Sequence, residues 1–308
     1  FFKLNLFSKK KSEIKKRYKY NAVSTVLFTS GTTGEKKGVM LTHKNLISNT
    51  SAILKILPIK KNDIVNLLLP TSYSFGLSVL LTHLKAGSKF FFHDSPFVGS
   101  IIQELKKYRC TSFYGVPSTF EILLNKTNFL KNKFSKLRFF AQAGGKLEKK
   151  YKYKLIDKFK NKFYVMYGST EASPRLSIIN PKDLKNKIES IGQPLPGVVF
   201  KLFKYKNTKS FQLGVKGKNI MKGYLMDKKL TKNSFKNNFY LTGDIVWKDK
   251  QNFYYITGRI DKIIKRFGFK INIEQIKKVI KKIKYVEDFK LDFKNENFYL
   301  RIVLKANF

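Results

Sequence analysis

The sequence is poor in cysteine and arginine and lacks long apolar runs, and each shortage excludes a class of protein. It contains one cysteine, Cys110, so no disulfide can form within the chain, which suits a reducing compartment and predicts a cytoplasmic protein. The longest apolar stretch, at residues 75–84, is interrupted by small and polar residues. It falls short of the ~20 apolar residues that a spanning helix needs. The basic start has no continuous apolar core, so we expect neither a membrane span nor a signal peptide.

Positive charge is abundant, but lysine carries almost all of it. The formal net charge is +43, yet only seven of the 63 basic residues are arginine. Arginine is the side chain that reads bases and holds phosphates with two parallel hydrogen bonds. The lysines are spread along the whole chain instead of forming one patch. We therefore expect salt-sensitive, non-specific binding to polyanions and no specific nucleic-acid partner.

Apolar runs alternate with helical patterns from Val23 onward, as in α/β proteins. We expect strands near residues 23–28, 64–69, 90–92, 111–114, 137–141 and 163–166. After Ile188, glycines and prolines become frequent and aromatic residues alternate with polar ones, which predicts an antiparallel β section. A strand–turn–strand–helix pattern follows from Gly258. The expected fold is an α/β core whose parallel strands carry loops at their C-terminal ends, then the β section and a small α+β lid.

The most informative feature is a Ser/Thr/Gly loop after the first strand. It runs Thr29-Ser30-Gly31-Thr32-Thr33-Gly34-Glu35-Lys36-Lys37-Gly38. Glycines let the backbone approach a ligand closely, and successive N–H groups in such a turn form a concavity for anions. Lys37 adds a point charge for phosphate, and the loop is not a Walker loop because glycine follows that lysine. The loop predicts a polyphosphate site, and a polar surface turn is the alternative.

This loop resembles the phosphate loop of the adenylate-forming superfamily, which includes acyl- and aryl-CoA synthetases, carrier-protein-loading adenylation domains and luciferases. One position departs, because Lys36 stands where proline is usual. Further motifs of that family follow in the family's order, and the resemblance covers residues 22–290. They are an acid-pocket segment at 70–76, Gly144-Gly145-Lys146-Leu147, Tyr167-Gly168-Ser169-Thr170-Glu171, the Ile191-Gly192-Gln193-Pro194 run, Tyr240-x-Thr242-Gly243-Asp244, and Gly258-Arg259-x-Asp261 with Gly268.

The resemblance implies that an acid is joined to the α-phosphate of ATP and that pyrophosphate leaves. The loop residues Thr29, Ser30, Gly31, Thr32, Thr33, Gly34 and Lys37 would then hold the outer phosphates. Thr170 would donate to the α-phosphate, and Glu171 would hold Mg²⁺, which prefers carboxylate and phosphate oxygens. With Lys37 and Arg259 these two residues form the implied catalytic set.

The same resemblance implies how the rest of the nucleotide would be held. Asp244 would accept hydrogen bonds from the ribose hydroxyls. Tyr167 would stack on adenine, next to the glycines Gly144, Gly145 and Gly168, and Arg259 would reach the ribose or the phosphates.

Residues for the acid and for the thiol acceptor also follow from the resemblance. Tyr73 and Gly76 would line the acid pocket, Asp261 would be the hinge of the lid, and Gly268 would line the thiol tunnel. Gly76 stands where members that activate amino acids usually carry aspartate, which favours a simple acyl or aryl acid. The acceptor is either CoA or the phosphopantetheine arm of an acyl carrier protein, and the sequence leaves that choice open.

We expect three segments: a poorly ordered basic lead-in at 1–20, an AMP-binding core at 21–257, and a partial lid at 258–308. The family has a much longer segment before the phosphate loop, and its adenylation lysine follows a Gly-Lys motif that this chain lacks. We therefore expect truncation at both ends and weak or absent adenylation by this chain alone. The alternatives are a truncated nucleotide-binding pseudo-enzyme or partner subunit, and a basic polyanion-binding protein on an inherited fold.

Each candidate residue also has a purely structural interpretation. Tyr167 could be a core residue, Asp244 could cap a turn, Glu171 could be a solvated acid, and Arg259 could pair with Asp261. The ordered succession of motifs favours the functional interpretation. Outside the motifs we expect structural roles for His43, His83, His93 and Cys110.

Overall fold

The computed structural model describes residues 19–30, 36–93, 95, 97–205, 210–260, 263–266, 269–294 and 297–305. Its strands are β1 (Val23–Ser30), β2 (Lys36–Thr42), β3 (Ile64–Leu67), β4 (Lys89–Phe92), β5 (Ser112–Gly115), β6 (Phe139–Gln142), β7 (Phe163–Gly168), β8 (Arg175–Ile179), β9 (Ser190–Pro194), β10 (Val198–Lys204), β11 (Phe211–Gly217), β12 (Gly223–Tyr224), β13 (Phe235–Lys236), β14 (Phe239–Lys248), β15 (Tyr254–Arg259), β16 (Ile263–Arg266), β17 (Phe269–Asn272), β18 (Val286–Lys294) and β19 (Asn297–Leu304).

Its α-helices are α1 (His43–Leu54), α2 (Ser74–Ala86), α3 (Ser100–Lys107), α4 (Pro117–Lys126), α5 (Lys149–Phe159), α6 (Pro181–Leu184), α7 (Lys228–Asn233) and α8 (Ile273–Ile280). Short 3₁₀ turns lie at Phe129–Lys131, Lys160–Lys162 and Thr170–Ala172. Among the described helices, none combines the length and the apolar character that a bilayer crossing requires.

One large mixed sheet forms the centre of the fold. Its parallel part has the order β4-β3-β5-β6-β7. β8 pairs with β7 in antiparallel fashion, and the sheet continues through β9, β15, β14, β11 and β10 with antiparallel neighbours. The α/β core and the antiparallel β section that the sequence predicts are therefore both confirmed.

Side-chain alternation on the central strands fills two cores, one on each face of the sheet. Neighbouring residues Phe113 and Tyr114 of β5 belong to different cores, and Phe139 and Phe140 of β6 do the same. Helices α3, α4 and α5 contribute to the core of Phe113 and Phe140, whereas α1 and α2 contribute to the core of Tyr114 and Phe139. Burial on both faces explains why these strands read as continuous apolar runs.

The two strands that flank the phosphate loop lie in a separate small sheet. Strands β1 and β2 form an antiparallel hairpin, and β12 pairs with the free side of β2. Helix α1 follows β2 directly, and Thr42 caps it through its hydroxyl, which accepts from Asn45 N at 3.2 Å. Asn45 Oδ1 in turn accepts from Thr42 N at 2.8 Å, so the turn from hairpin to helix is fixed at both ends.

Four elements depart from the predicted pattern or lie outside it. Helix α2 occupies the interrupted apolar stretch, for which the sequence gives no clear period. Strand β8 and the terminal hairpin β18–β19 also have no counterpart in the predicted pattern. The strand–strand–helix order from residue 258 matches β16, β17 and α8. The division at 20 and 257 stays a prediction, and residues 1–18 lie outside the described residues.

Candidate functional site

The candidate site lies at the carboxyl edge of β5, β6 and β7. These strands are parallel, and Gln142 of β6 lies opposite Val165 of β7, so the loops that follow them leave the sheet side by side. Gly144 has φ of +85°, a conformation that favours glycine, and Gln142 Nε2 donates to the Gly145 carbonyl at 2.7 Å. Ligands of open α/β sheets bind at this edge.

Tyr167 and Asp244 come together although they are far apart in the sequence. The Tyr167 hydroxyl donates to Asp244 Oδ2, and Arg259 Nη1 donates to Asp244 Oδ1 at 2.8 Å. The Asp244 side chain is 7% exposed, whereas that of Arg259 is 42% exposed. Burial, and then the Asp244 charge, raises the pKa of Tyr167 well above its ordinary value, so the phenol stays a proton donor. The result is a positioned carboxylate at the sheet edge.

Gly168 is required by crowding of the backbone. A Cβ at this position would lie 1.8 Å from the carbonyl oxygen of Pro174. Ser169 N donates to that same carbonyl at 2.9 Å, which closes the turn after β7. The turn presents Thr170 and Glu171 at the sheet edge.

Thr170 contacts the segment that the sequence assigns to the acid pocket. Its hydroxyl lies 3.1 Å from the Ser74 hydroxyl at the start of α2, and the preceding Tyr73 is 64% exposed. Gly76 has a packing reason for lacking a side chain, because a Cβ there would lie 2.2 Å from the Pro70 carbonyl oxygen. The glycine at position 76 therefore does not distinguish a simple acid from an amino acid as the substrate. The role of Gly76 in the acid pocket stays a prediction.

Glu171 has one engaged carboxylate oxygen and one with spare capacity. Oε1 accepts from the Tyr224 hydroxyl at 2.9 Å, and Oε2 has no hydrogen-bond partner among the described residues. Within the described part of the chain, no group of three or more His, Cys, Asp or Glu residues could hold a metal ion. This donor set does not form a closed cage, but it fits Mg²⁺, which is usually held by one or two carboxylates together with substrate phosphates.

The phosphate-loop hairpin is tied to the Glu171 turn through β12. Val39 of β2 pairs with Tyr224 of β12, which is the residue that donates to Glu171. Lys37 lies two residues before Val39, opposite Thr29 in the hairpin, and its ammonium has no partner among the described residues. An unpaired cation near the Glu171 turn suits a phosphate ligand.

Some predicted residues lie outside what the structure describes. Gly31, Thr32, Thr33 and Gly34 of the loop, Asp261 of the hinge and Gly268 of the thiol tunnel are in this group. Ser30 ends β1, and only its backbone is described.

The residues set aside as structural have structural partners. His83 is fully buried, with Nδ1 2.9 Å from the Val79 carbonyl oxygen and Nε2 3.2 Å from Ser112 Oγ. His93 Nδ1 lies 2.7 Å from Glu104 Oε2. Burial raises the pKa of the Cys110 thiol to about 12, so this cysteine is inert as a nucleophile.

Sequence reasoning missed two residues that join the motifs, Ser74 and Tyr224. Ser74 lies inside the acid-pocket segment, so its contact with Thr170 could have been sought there. Tyr224 lies 53 residues from Glu171, and no local spacing could have indicated their hydrogen bond.

Comparison with known proteins identifies the family of the chain. A sequence model described as AMP-binding enzyme matches residues 4–225. A long-chain-fatty-acid–CoA ligase of Yersinia pestis is 32% identical over 263 residues, which is 82% of this chain and 47% of the relative. A 2-succinylbenzoate–CoA ligase of Staphylococcus epidermidis is 29% identical over 280 residues, 88% of this chain and 57% of the relative.

Solved structures show the same fold. The o-succinylbenzoate CoA synthetase (MenE) of Bacillus subtilis, in complex with its acyl-adenylate intermediate, superposes with a TM-score of 0.83 at 23% identity, covering 94% of this chain and 61% of that one. The same enzyme with ATP and magnesium gives a TM-score of 0.81 at 24% identity, covering 93% and 61%. The chain thus spans about half the length of the curated relatives it matches. Because the family model matches well over half of its residues, the chain belongs to the AMP-binding enzyme family, within the adenylate-forming superfamily.

Proposed function

We propose that this chain carries the adenylating core of an AMP-forming acid–CoA ligase. In this proposal it binds ATP with Mg²⁺, joins a carboxylic acid to the α-phosphate, and supplies the acyl group to the thiol of CoA. The observation that carries the proposal is the buried Asp244 carboxylate, held by Tyr167 and Arg259 at the carboxyl edge of the sheet. Several relatives are named as CoA ligases, which supports CoA over a carrier protein.

The nucleoside end of ATP fits the Asp244 side of the site. The Asp244 carboxylate accepts hydrogen bonds from Tyr167 and Arg259. In this proposal the same carboxylate also accepts from the ribose hydroxyls, because a carboxylate is an acceptor on both oxygens. In this proposal adenine lies beside the Tyr167 ring, next to the turn that contains Gly144 and Gly145.

In this proposal the phosphates are held by Lys37, Thr170 and Glu171. The acid and the triphosphate are both anions, so the site must reduce their repulsion and stabilise the charge that develops on the phosphates. Lys37 supplies a cation and the Thr170 hydroxyl a donor. Glu171 would hold Mg²⁺ through its second oxygen, and the metal would neutralise part of the phosphate charge.

The acid would enter beside Tyr73 and Ser74, because Thr170 contacts Ser74 and so joins the α-phosphate position to that segment. Relatives are named for long-chain fatty acids, 2-succinylbenzoate and oxalate, which differ widely in size. Their names therefore do not select an acid for this chain.

The test is a single-turnover reaction of the chain with Mg-ATP and a panel of acids, first without and then with CoA. We expect slow acid-dependent release of pyrophosphate, in keeping with the weak adenylation that the sequence predicts, and an acyl-adenylate detectable by mass spectrometry. AMP and acyl-CoA should follow when CoA is added. Lys37→Ala should reduce the rate of the first step, the acid-dependent release of pyrophosphate. Tight ATP binding with no acid-dependent pyrophosphate would favour the nucleotide-binding pseudo-enzyme, and transfer to a phosphopantetheine protein but not to CoA would change the acceptor. Absence of nucleotide binding would contradict the proposal.

A further inference from the structure

Arg175 is a buried cation for which the described residues provide no counter-ion. It is 3% exposed and forms no ion pair with any described carboxylate. Its Nε donates to the thioether sulfur of Met166 at 3.4 Å, and its guanidinium carbon lies 4.0 Å from the centre of the Phe75 ring. A guanidinium has five N–H donors, and a sulfur atom and a ring face are weak partners for them. Most of the donor capacity of Arg175 is therefore unused.

The Tyr114 hydroxyl is a second unused donor beside the same ring. It is buried and has no hydrogen-bond partner among the described residues. The Tyr114 ring meets Phe75 edge-on, with the ring centres 6.4 Å apart. Burial raises the pKa of Tyr114 far above its ordinary value, and the Arg175 charge opposes that rise, so the two groups act on each other. Arg175 and Tyr114 thus form a pair of buried donors around Phe75.

Arg175 is held in place by its backbone. Its N–H donates to Asn49 Oδ1 at 3.1 Å, and its carbonyl accepts from Asn49 Nδ2 at 2.7 Å. It begins β8 directly opposite Gly168, the glycine that precedes the Thr170 turn. Burial lowers the pKa of Arg175 to about 9, so the side chain is still a cation at neutral pH. A fixed backbone and a buried guanidinium make a preorganised anion site.

The pair lies on the acid side of the candidate site. Phe75, which both groups contact, adjoins Ser74, and Ser74 contacts Thr170. The nucleoside side, with Asp244 and Arg259, is formed by other strands of the sheet. An anion bound by Arg175 and Tyr114 would therefore be on the side where the acid, not the ribose, is held.

We propose that Arg175 and Tyr114 bind a second anionic group of the acid substrate, so that the acid activated here carries another carboxylate or comparable oxyanion at its far end. The inference rests on the proposed function and names its substrate class. A buried cation without a partner is unfavourable, and a carboxylate can accept two parallel hydrogen bonds from arginine and one from a phenol. A purely apolar acid would leave both donors unpaired and would be selected against.

The test compares matched acyl-sulfamoyl-adenosine probes, which are stable mimics of an acyl-adenylate. Each pair has one acyl chain ending in a carboxylate and one of equal length ending in methyl, over two to eight carbons, and AMP is titrated in parallel by calorimetry. For at least one length we expect the wild-type chain to bind the carboxylate-ended probe about tenfold tighter or more. Arg175→Met should reduce that preference to within about twofold and leave AMP affinity unchanged. Tyr114→Phe should remove part of the preference for the carboxylate-ended probe. The matched control Arg109→Met, at an exposed turn, should leave that preference unchanged.

The possible outcomes separate this inference from the proposed function. Equal affinity for both members of every pair, with AMP still bound, would overturn the inference that the acid carries a second anionic group. The proposed function would be unaffected. Loss of AMP affinity in Arg175→Met assigns the guanidinium to a phosphate and also overturns the inference. Failure of the wild-type chain to bind AMP would contradict the proposed function itself. If Arg175→Met does not fold, the wild-type preference and the Tyr114→Phe variant still decide the matter.

Discussion

At the residue scale, the two carboxylates of the candidate site differ in the kind of ligand group that each can bind. Both oxygens of Asp244 already accept a protein hydrogen bond, from Tyr167 and from Arg259. Glu171 has one oxygen engaged by Tyr224 and a second oxygen without a partner among the described residues. Asp244 is therefore suited to accept from neutral hydroxyls, and Glu171 is suited to a cation.

Glu171→Gln should weaken ATP binding only where Mg²⁺ takes part. The amide oxygen can still accept from Tyr224, but the variant lacks the negative charge that holds a hard cation. We expect the Kd for ATP in Mg²⁺ to rise about tenfold or more, with the Kd for AMP without metal unchanged. The control is Glu189→Gln, a surface acid that pairs with Lys146 and Lys149. Equal losses for ATP and AMP would show that Glu171 does not act through a metal.

Gly168→Ala should destabilise the fold, whereas Gly99→Ala should not. A Cβ at Gly168 would lie 1.8 Å from a backbone oxygen, and nothing lies within 4 Å of one at Gly99. Overpacking against backbone predicts a loss of about 2 kcal/mol or more in the free energy of unfolding. Urea denaturation of both variants measures it, and a Gly168→Ala chain as stable as the wild type would mean that the turn after β7 is not held as described.

At the element scale, helix α2 joins the acid segment to the sheet. Its first residue contacts Thr170, and its buried His83 contacts Ser112 of β5. Because a carbonyl can only accept, the Nδ1 of His83 donates to Val79 and the Nε2 accepts from Ser112. A neutral imidazole is thus built into the contact between helix and strand.

Stability should fall with acidification because of His83. Burial lowers the pKa of His83 from 6.5 to about 4, so the unfolded chain binds a proton at higher pH than the folded chain does. The contribution is complete above pH 6.5 and is lost as the pH falls from 6.5 to about 4. The loss amounts to about 3 kcal/mol.

Urea denaturation between pH 7 and 4 measures this effect. The difference in unfolding free energy between wild type and His83→Gln should shrink steadily over that range. A constant difference for His83→Gln would contradict a buried neutral histidine.

The elements that the sequence predicts are those with a local signal. Helix α5 spans Lys149–Phe159 and has a clear polar face, and the parallel strands are apolar runs bounded by Gly or Pro. Strand β8 is buried along its whole length, so it shows no alternation. Helix α2 carries apolar residues around much of its surface and shows no clear helical period.

The candidate site divides in the same way. Motifs such as 167–171 and 240–244 are contiguous, so the sequence alone points to them. The contacts that join them, Tyr224 with Glu171 and Phe75 with Arg175, depend on tertiary packing between distant segments. For Gly76 the sequence suggested more than the structure supports. It suggested a role in the choice of acid, but backbone crowding explains the glycine without reference to a substrate.

At the scale of the whole molecule, the net charge of +43 should govern behaviour in solution. The charge is spread over lysines, so we expect binding to DNA that weakens steeply with added salt and is equal for unrelated sequences of the same length. Fluorescence anisotropy with two duplexes over a salt series measures both properties. Sequence-selective binding that persists at high salt would support the polyanion-binding alternative.

The central claim concerns Asp244, and AMP binding tests it most directly. Calorimetry of AMP with the wild-type chain, with Asp244→Asn and with the exposed control Asp157→Asn gives three affinities to compare. We expect the wild type and the control to bind AMP equally, and Asp244→Asn, still folded by thermal denaturation, to bind it about tenfold or more weakly. A wild-type chain that does not bind AMP, or an Asp244→Asn variant with unchanged affinity, would contradict it.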